Sequence, residues 1–285
     1  MHLETRNNDP SEYLIETREL TKIYGDGEEI HALDGVNLQV APGELIAVIG
    51  PSGSGKSTLL NMIGALDKPT SGQVFIEGVN LATIRNKDAF RATTVGFVFQ
   101  LHNLIPTLTA QENVGIPMMG HLGARERKKR SLELLTLVGL EDRLRHLPNQ
   151  LSGGQRQRVA VARALANKPP LVLADELTGN LDSVAGQELM SLLRELNQSQ
   201  GTTFIVVTHD LSVARQTNRV VIMADGRIVR EDIIGSPVEE DLKMWRHSDL
   251  GRRILSRDEE TMASLGIDES QIKLVQSILE QANQK

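Results

Sequence analysis

The sequence predicts an α/β protein whose core is a parallel β-sheet buried on both faces. Four short apolar runs, rich in branched aliphatic residues and bounded by turn residues, have the character of such buried strands. They are Leu45–Ile49, Leu171–Ala174, Phe204–Val207 and Val220–Ala224. Helical patterns lie between them, because STLLNMIG follows the first run and Val184–Leu196 follows the second. Strands that alternate with helices are typical of this fold class.

Two further regions complete the predicted architecture. The runs Tyr13–Thr17, Val36–Val40 and Gln73–Glu77 are typical of antiparallel strands and indicate a β subdomain. The stretch from about Asn86 to Ala166 has mostly helical patterns, including the charged amphipathic segment Arg125–Val138. We therefore expect a helical subdomain inserted into the core at about residues 86–166.

The two ends of the chain differ in composition from the centre. Residues 1–12 are polar and lack the apolar core of a secretory signal, so we expect a polar N-terminal tail. Residues 235–285 are charge-rich, and one helix is predicted after Asp268, so we expect a charged, helical C-terminal extension. Trp245, the only tryptophan, lies in this extension. Packing on the core and contact with a partner both fit it.

Composition excludes several classes of function. The chain has no cysteine, which excludes disulfides, thiolate zinc sites, iron–sulfur clusters and cysteine nucleophiles. Its formal net charge is −6 and only 3% of its residues are aromatic, so neither a basic footprint nor stacking platforms for nucleic acid are present. No apolar run approaches the roughly 18 residues that span a bilayer. We expect a cytoplasmic protein that meets a membrane only through a partner or a surface.

The segment GPSGSGKST has the pattern G-x-x-x-x-G-K-[ST] of a phosphate-binding loop. It follows an apolar run and opens a helical pattern, which is the strand–loop–helix setting that the pattern requires. Glycines let the backbone wrap a phosphate, and the N–H groups at the start of the helix bind the anion. Lys56 is expected to reach the terminal phosphates, and the Ser57 hydroxyl is expected to ligate Mg²⁺. The predicted phosphate-loop residues are Gly50, Pro51, Ser52, Gly53, Ser54, Gly55, Lys56, Ser57 and Thr58.

A second apolar run ends in two carboxylates, in LVLADE from Leu171 to Glu176. The carboxyl ends of strands are where α/β sheets bind ligands. We expect Asp175 to hold Mg²⁺ through water and Glu176 to polarise the water that attacks the γ-phosphate. An acidic cap at a helix N terminus is the alternative for these two residues.

Four further motifs accompany these two in a fixed order. Gln100 ends GFVFQ, LSGGQRQR occupies Leu151–Arg158, GNLD occupies Gly179–Asp182, and His209 lies in VVTHD. Together they resemble the nucleotide-binding subunits of ATP-binding cassette (ABC) transporters over about residues 13–234. The resemblance implies an ABC ATPase domain with a P-loop (RecA-like) core, an antiparallel β subdomain, a helical insertion and Mg²⁺-dependent ATP hydrolysis.

The resemblance implies a role for each matched residue. Tyr24 would stack on adenine, although a surface turn tyrosine also fits. Gln100 would ligate Mg²⁺ with its amide oxygen or, because it lies inside the mostly helical insertion, relay contact to a membrane partner. A strand-terminal polar residue is the alternative. His209 would contact the γ-phosphate and hold Glu176, although a lone histidine at a strand end is often structural. The implied catalytic residues are Glu176, His209 and Gln100, and the implied metal ligands are Ser57, Gln100 and Asp175.

The LSGGQ signature opens a helix and so provides a second N terminus that could bind an anion. Within one chain this site has no ligand, because Lys56 already binds the phosphates. In the family, a head-to-tail homodimer sandwiches two ATP molecules, and each signature closes on the opposite Lys56. Asp182 would cross this interface, and it would also suit as the cap of the helix that follows. The signature residues implied to contact nucleotide are Ser152, Gly153, Gly154 and Gln155.

One position departs from the family pattern. Members usually carry proline after the catalytic glutamate, and here the residue is Leu177. Proline would restrict φ, so we expect a looser link between Glu176 and the GNLD loop.

The stretch Phe97–Met119 resembles the subfamily of lipoprotein-releasing, macrolide-efflux and cell-division cassettes. This implies an ATP-driven motor subunit on the cytoplasmic face of the membrane. Its partner would be an integral membrane permease in a separate chain, and export or mechanotransmission is expected rather than import. A soluble ABC ATPase acting on DNA or ribosomes is the alternative; the acidic charge disfavours it, and no nucleic acid is expected as a partner.

Overall fold

The structure is a computed structural model that describes residues 12–25, 29–179, 181–234, 252–254, 256 and 258. The chain divides into two compact units, residues 1–232 and 233–285. Trp245 and the helix predicted after Asp268 lie outside the described residues, as does most of the predicted N-terminal tail.

The part of the chain described up to residue 234 alternates strands and helices. The strands are β1 (Ile15–Tyr24), β2 (Ile30–Val40), β3 (Leu45–Ile49), β4 (Ser71–Ile76), β5 (Val79–Asn80), β6 (Val95–Val98), β7 (Leu171–Asp175), β8 (Thr203–Val207), β9 (Arg219–Ala224) and β10 (Arg227–Ile233). The helices are α1 (Lys56–Ile63), α2 (Lys87–Thr94), α3 (Ala110–Gly115), α4 (Ala124–Leu137), α5 (Gly153–Ala164), α6 (Ser183–Gln200) and α7 (Leu211–Ala214).

A six-stranded sheet with the order β10-β9-β3-β8-β7-β6 forms the core. The pairs β3–β8, β3–β9, β6–β7 and β7–β8 are parallel, which confirms the four apolar runs as strands of a parallel sheet. β10 joins through the two-residue turn Asp225–Gly226, whose φ angles of 48° and 75° are both positive. A turn of this kind matches the twist of a β-hairpin.

Both faces of this sheet are covered, and β8 shows how. Phe204 and Val206 belong to an apolar cluster that includes residues of α5 and α6. Ile205 and Val207, which alternate with them, belong to a second cluster that includes residues of α1 and the β subdomain. Because successive side chains of a strand point to opposite faces, one continuous apolar run supplies both clusters.

The four-stranded sheet β2-β1-β4-β5 is the predicted antiparallel subdomain. Its central strand β1 pairs antiparallel with β2 and with β4, placing Ile15 opposite both Val40 and Ile76. All three side chains are fully buried. The subdomain therefore packs its apolar face into the core and carries Tyr24, at the end of β1, towards the phosphate loop.

The helical stretch expected over residues 86–166 contains four helices, but it also contains β6. This corrects the expectation that Gln100 lies within a helical insertion. Val95–Val98 pairs in parallel with β7, and Gln100 follows two residues beyond the end of this strand. A run of four apolar residues has too little periodicity to separate strand from buried helix. Gly96 permits close packing, since a Cβ there would lie 2.4 Å from the Ala164 carbonyl oxygen.

The departure from the family pattern at Leu177 has a structural counterpart that the sequence did not predict. The Leu177 side chain is only 2% exposed and belongs to the apolar cluster of α5 and α6. Packing thus anchors the turn after Glu176, where a proline would restrict the backbone instead.

Candidate active site

The predicted site residues gather at one edge of the parallel sheet. β3 ends at the phosphate loop, β7 ends at Asp175, and β8 ends just before Thr208 and His209. These three strands are adjacent and parallel, so their carboxyl ends meet at the same edge. This is where open α/β sheets bind ligands.

The phosphate loop links β3 to α1 through glycines whose backbone conformation excludes side chains. Gly50, Gly53 and Gly55 have φ of 155°, 81° and 96°. A Cβ at Gly50 would lie 2.2 Å from the Met223 carbonyl oxygen, and one at Gly55 would lie 2.3 Å from the Ala32 carbonyl oxygen. The loop therefore wraps tightly, with the Ser54 N–H donating to the Pro51 carbonyl at 3.2 Å, and glycine-rich loops of this kind form an anion-binding nest of backbone N–H groups.

The turn of the β9–β10 hairpin contacts the phosphate loop, which the sequence motifs did not predict. The Gly226 N–H donates to the Ser54 carbonyl at 3.2 Å, and the Gly226 carbonyl accepts from the Asp34 N–H at 2.9 Å. An Asp-Gly pair between two apolar runs was the available sequence signal for the hairpin, but not for its contact with the loop.

The Lys56 side chain folds over the phosphate loop. Its Nζ donates to the carbonyl oxygens of Gly50 at 2.9 Å and Pro51 at 2.8 Å. The residue is only 9% exposed. These acceptors are neutral, and charge-assisted bonds to phosphate oxygens are about twice as strong. The ammonium is thus positioned inside the cradle where a bound phosphate would attract it.

Ser57 and Asp175 face each other across the cradle. The Ser57 Oγ donates to Asp175 Oδ1 at 3.3 Å. Burial raises the pKa of the Asp175 carboxyl, and the neighbouring Glu176 charge adds to this, while Ser57 and Lys56 oppose it. A carboxylate whose negative charge is disfavoured in this way is a good partner for a cation.

We predict that Asp175→Asn stabilises the nucleotide-free protein at neutral pH. The raised pKa means that the native state binds the Asp175 proton more tightly than the unfolded chain, so stability falls as pH rises through the native pKa. Asparagine carries no charge and so removes the cost of keeping Asp175 ionised in the native state. The melting temperature at pH 7 should therefore rise, by about 2–4 °C for each kcal/mol gained in the free energy of unfolding. Below the ordinary aspartate pKa of about 3.9 the gain should vanish.

Thermal unfolding of wild type and variant across this pH range checks the prediction. Asp142→Asn is the matched control, because the Asp142 side chain is 65% exposed. The control should show no gain. A lower melting temperature for Asp175→Asn at pH 7 would contradict the sign of the effect.

Glu176 lies directly against His209. The His209 Nδ1 donates to Glu176 Oε2 at 2.7 Å, and the imidazole is 70% exposed. Glu176 has φ of 51°, in the left-handed region that a glutamate rarely adopts, and its N–H donates to the Val207 carbonyl at 2.9 Å. Such strained positions persist only when the surrounding structure holds them, and they are common at functional sites.

Gln100 and Glu176 both lie next to Gly179. A Cβ added to Gly179 would lie 3.1 Å from Gln100 Nε2 and 3.5 Å from Glu176 Oε2. Both side chains therefore converge on Gly179. The structure thus brings together the three residues predicted to be catalytic, Glu176, His209 and Gln100.

Tyr24, the residue predicted to meet adenine, has its ring held in place. Its hydroxyl donates to Asp67 Oδ2 at 3.0 Å, and burial raises the pKa of this phenol. The Lys22 Nζ lies 4.7 Å from the ring centroid and 2.9 Å from Asp67 Oδ2. Because the ammonium covers one face, a base stacked on Tyr24 would use the other face. The roles of Lys22 and Asp67 were not foreseen from the sequence.

The signature and Asp182 share a different cavity, of about 390 Å³. Ser152 and Gln155 form a capping box at the start of α5, with bonds of 2.9 and 3.2 Å. Asp182 caps α6, since its Oδ1 accepts from the Ala185 N–H at 2.8 Å, which confirms the capping alternative. Among the described residues that line this cavity, none belongs to the phosphate loop. One chain thus carries two separate helix starts suited to phosphate.

Comparison with known proteins decides the family. A family profile described as ABC transporter matches residues 33–179, just over half of the chain. The ABC transporter ATP-binding protein MJ0796 of Methanocaldococcus jannaschii is 51% identical over 227 residues, covering 77% of this chain and 97% of that protein. The chain belongs to the ABC transporter family.

Other relatives of this ABC cassette carry more specific names. The lipoprotein-releasing system ATP-binding protein LolD of Idiomarina loihiensis is 48% identical, covering 76% of this chain and 97% of that protein. The macrolide export ATP-binding/permease protein MacB of Hyphomonas neptunium is 45% identical over 84% of this chain, which corresponds to 37% of that longer protein.

A solved structure matches the cassette closely. It is the dimeric, post-hydrolysis state of MJ0796 bound to ADP and Pi, with 48% identity and a TM-score of 0.72 over 77% of this chain and 98% of that chain. The family, the α/β cassette fold and the ATP-hydrolysing class predicted from the motif order are confirmed. The soluble ATPase acting on DNA or ribosomes is not favoured.

Proposed function

We propose that this ABC ATPase is the motor subunit of an export or mechanotransmission complex, in which two copies close on ATP and drive a membrane permease. The main support for the proposal is that two helix N termini suited to bind phosphate, those of α1 and α5, lie apart from each other in one chain. Lys56 and the Glu176–His209 pair lie at the sheet edge, whereas Ser152 and Asp182 line another cavity. A head-to-tail pair of chains brings the cavity of one copy to the phosphate loop of the other. The dimeric state of the related MJ0796 cassette supports this arrangement.

In this proposal the chain binds ATP through groups that are already oriented. The N–H groups of the phosphate loop and the N terminus of α1 hold the β- and γ-phosphates. Lys56 exchanges the carbonyls of Gly50 and Pro51 for phosphate oxygens. Tyr24 offers the ring face opposite Lys22 to the adenine. All three groups belong to elements that the core packing fixes.

The residues also fit Mg²⁺. Ser57 Oγ and Asp175 Oδ1 are oxygen atoms of the kind that ligate Mg²⁺, and they lie 3.3 Å apart. Burial disfavours the negative charge of Asp175 and raises its pKa, and a divalent cation would stabilise that charge. We assign Ser57 and Asp175, with the Gln100 amide oxygen, as the groups that would hold it. When bound, the ion supplies charge neutralisation for the phosphates.

Hydrolysis is assigned to Glu176 and His209. The carboxylate accepts the proton of the attacking water, and the His209 Nδ1–H holds Glu176 Oε2 in one orientation at 2.7 Å. The His209 ring is 70% exposed, so its other nitrogen is open to a contact with the γ-phosphate. Gln100, two residues beyond the end of β6, completes the group and would connect it to the surface where a partner docks.

That surface is an apolar groove of about 500 Å³ that extends to Phe99, the residue before Gln100. Leu66, Phe97 and Phe99 line it, and the two phenylalanine rings stack with centroids 5.6 Å apart. Leu101, next to Gln100, is 76% exposed. We assign the groove to a cytoplasmic segment of an integral membrane permease in a separate chain, which would place the cassette on the cytoplasmic face. The names LolD and MacB favour an export-type complex over an importer.

No helix in the part of the chain that the structure describes is both long and apolar enough to cross a membrane.

Site-specific photocrosslinking in the host cell tests the partner assignment. A photoreactive amino acid placed at Leu101 should crosslink to an integral membrane protein identified by mass spectrometry. The same group at Val229 on β10, which is 59% exposed, is the control and should not give this product. Crosslinks from Leu101 only to ribosomal or DNA-binding proteins would overturn the assignment in favour of the soluble alternative.

A further inference from the structure

Arg163, near the end of α5, binds the backbone just after Gln100. Its guanidinium donates to the carbonyl oxygens of His102 at 2.7 Å and Asn103 at 2.6 Å. Two parallel donors on two adjacent carbonyls use the fork geometry that only arginine offers. Burial lowers the pKa of Arg163, and the hydrogen bonds of its guanidinium among the described residues are those to these two carbonyls. The half-buried charge of Arg163 is thus matched by these carbonyls.

The turn that Arg163 holds is strained. His102 and Asn103 have φ of 61° and 47°, two consecutive residues other than glycine in the left-handed region. Such residues need support from their surroundings. His102 is also only 7% exposed, and burial together with the charges of Arg156 and Arg163 lowers its pKa. The turn closes on itself through the His102 N–H, which donates to the Phe99 carbonyl at 2.9 Å, and Arg163 of α5 supplies the side-chain bonds that hold it from outside.

Contacts just beyond α5 extend the same attachment. The Asn167 Nδ2 donates to the Ala92 carbonyl at 2.7 Å and to the Pro117 carbonyl at 2.8 Å. Ala92 precedes β6 and Pro117 follows the Gln100 loop along the chain. The segment at the end of α5 thus binds the chain before and after the loop as well as the loop itself.

We propose that Arg163 is the positioning residue that ties the Gln100 loop to the signature helix. α5 begins at the signature cap Ser152 and runs for 12 residues, about 18 Å, to Ala164. The loop that reaches a chain's own nucleotide and the signature that closes on its partner's nucleotide therefore share one rigid element. This rests on the proposed roles of Gln100 and the signature. Docking of a partner at Leu101 would then shift both the Gln100 loop and, through Arg163, the signature helix, and so affect both nucleotides of the dimer.

Arg163→Lys tests the proposal because lysine keeps the charge but cannot donate to both carbonyls in a fork. We expect kcat for ATP hydrolysis to fall by about 10- to 100-fold, as for a misplaced catalytic group, with KM for ATP unchanged. In a Gln100→Ala background the same substitution should change kcat by less than threefold, since the residue being positioned is gone. Arg194→Lys is the control, because Arg194 donates one bond to Gln216, at 3.1 Å, far along the chain from this loop.

A readout independent of activity uses the absence of cysteine, which makes a single spin label at Leu101→Cys unique. The label should be more mobile in Arg163→Lys than in wild type or Arg194→Lys. Equal kcat losses in both backgrounds, or an unchanged label, would overturn the positioning role. If Arg163→Lys fails to fold, Arg163→Gln is measured in the same way, and failure of both makes Arg163 a structural anchor only. If Gln100→Ala itself keeps full activity, the proposed role of Gln100 fails, while the label still reports whether Arg163 holds the loop.

Discussion

Glu176→Gln should bind ATP as wild type does and lose nearly all turnover. Glutamine keeps the shape of the side chain and an oxygen for the His209 Nδ1–H, but it cannot accept the proton of the attacking water. Loss of a positioned general base lowers kcat by about 10²- to 10⁴-fold. Because the substitution removes an interaction made in the transition state, ATP affinity should change little. The variant should therefore accumulate as an ATP-bound dimer.

Steady-state phosphate release and size-exclusion chromatography with ATP measure the two parts of this prediction. Glu195→Gln is the matched control, since Glu195 is an exposed glutamate on α6 and the charge change is the same. It should keep wild-type turnover and show no trapped dimer. Near-normal turnover in Glu176→Gln would remove this residue from the role of base.

A mixture of Lys56→Ala and Ser152→Arg chains should hydrolyse ATP although neither variant does so alone. Lys56→Ala removes the cation inside the phosphate cradle, so this chain should lose nucleotide binding. Ser152→Arg places a bulky cation where the signature would meet the partner's nucleotide. In a heterodimer, the intact loop of one chain faces the intact signature of the other. Random pairing leaves up to about a quarter of the wild-type number of competent sites, because half of the dimers are mixed and each has one such site.

Two controls separate a defect at the dimer interface from a local folding effect. Ser152 caps α5 through the Gln155 N–H, and losing a cap costs about 1 kcal/mol. Ser152→Ala loses the same cap without adding bulk, so it should keep much more activity than Ser152→Arg. Titration of each chain with a fluorescent ATP analogue should show binding to Ser152→Arg and none to Lys56→Ala.

The outcome distinguishes a shared site from one contained in a single chain. Heterodimers must first be demonstrated with two affinity tags. If they form and the mixture stays inactive, the two sites cannot work singly. Full activity of Ser152→Arg alone would show that the signature does not act on the partner's nucleotide at all.

Local signals in the sequence determined the elements and the family. The apolar runs ending at Ile49 and Ala174 were visible as buried strands because a strand covered on both faces must be apolar throughout. The phosphate loop was readable because its glycines adopt conformations that exclude other residues. The order of six motifs then identified the ABC cassette, and even the dual role open to Asp182 was foreseen from the cap that α6 requires.

Only the tertiary structure decided the contacts between segments that are distant in the chain. Gln100 was expected in a helical insertion, yet β6 places it beside Gly179 and Glu176, because pairing with β7 outweighs the weak local pattern of VGFV. Leu177 proved to be buried in the apolar cluster, and Arg163 proved to hold the turn at His102 and Asn103. Periodicity and turn chemistry act over a few neighbouring residues and can be read from the chain. Which carbonyl a half-buried arginine meets 61 residues away depends on how whole elements pack, and that is settled only when the chain has folded.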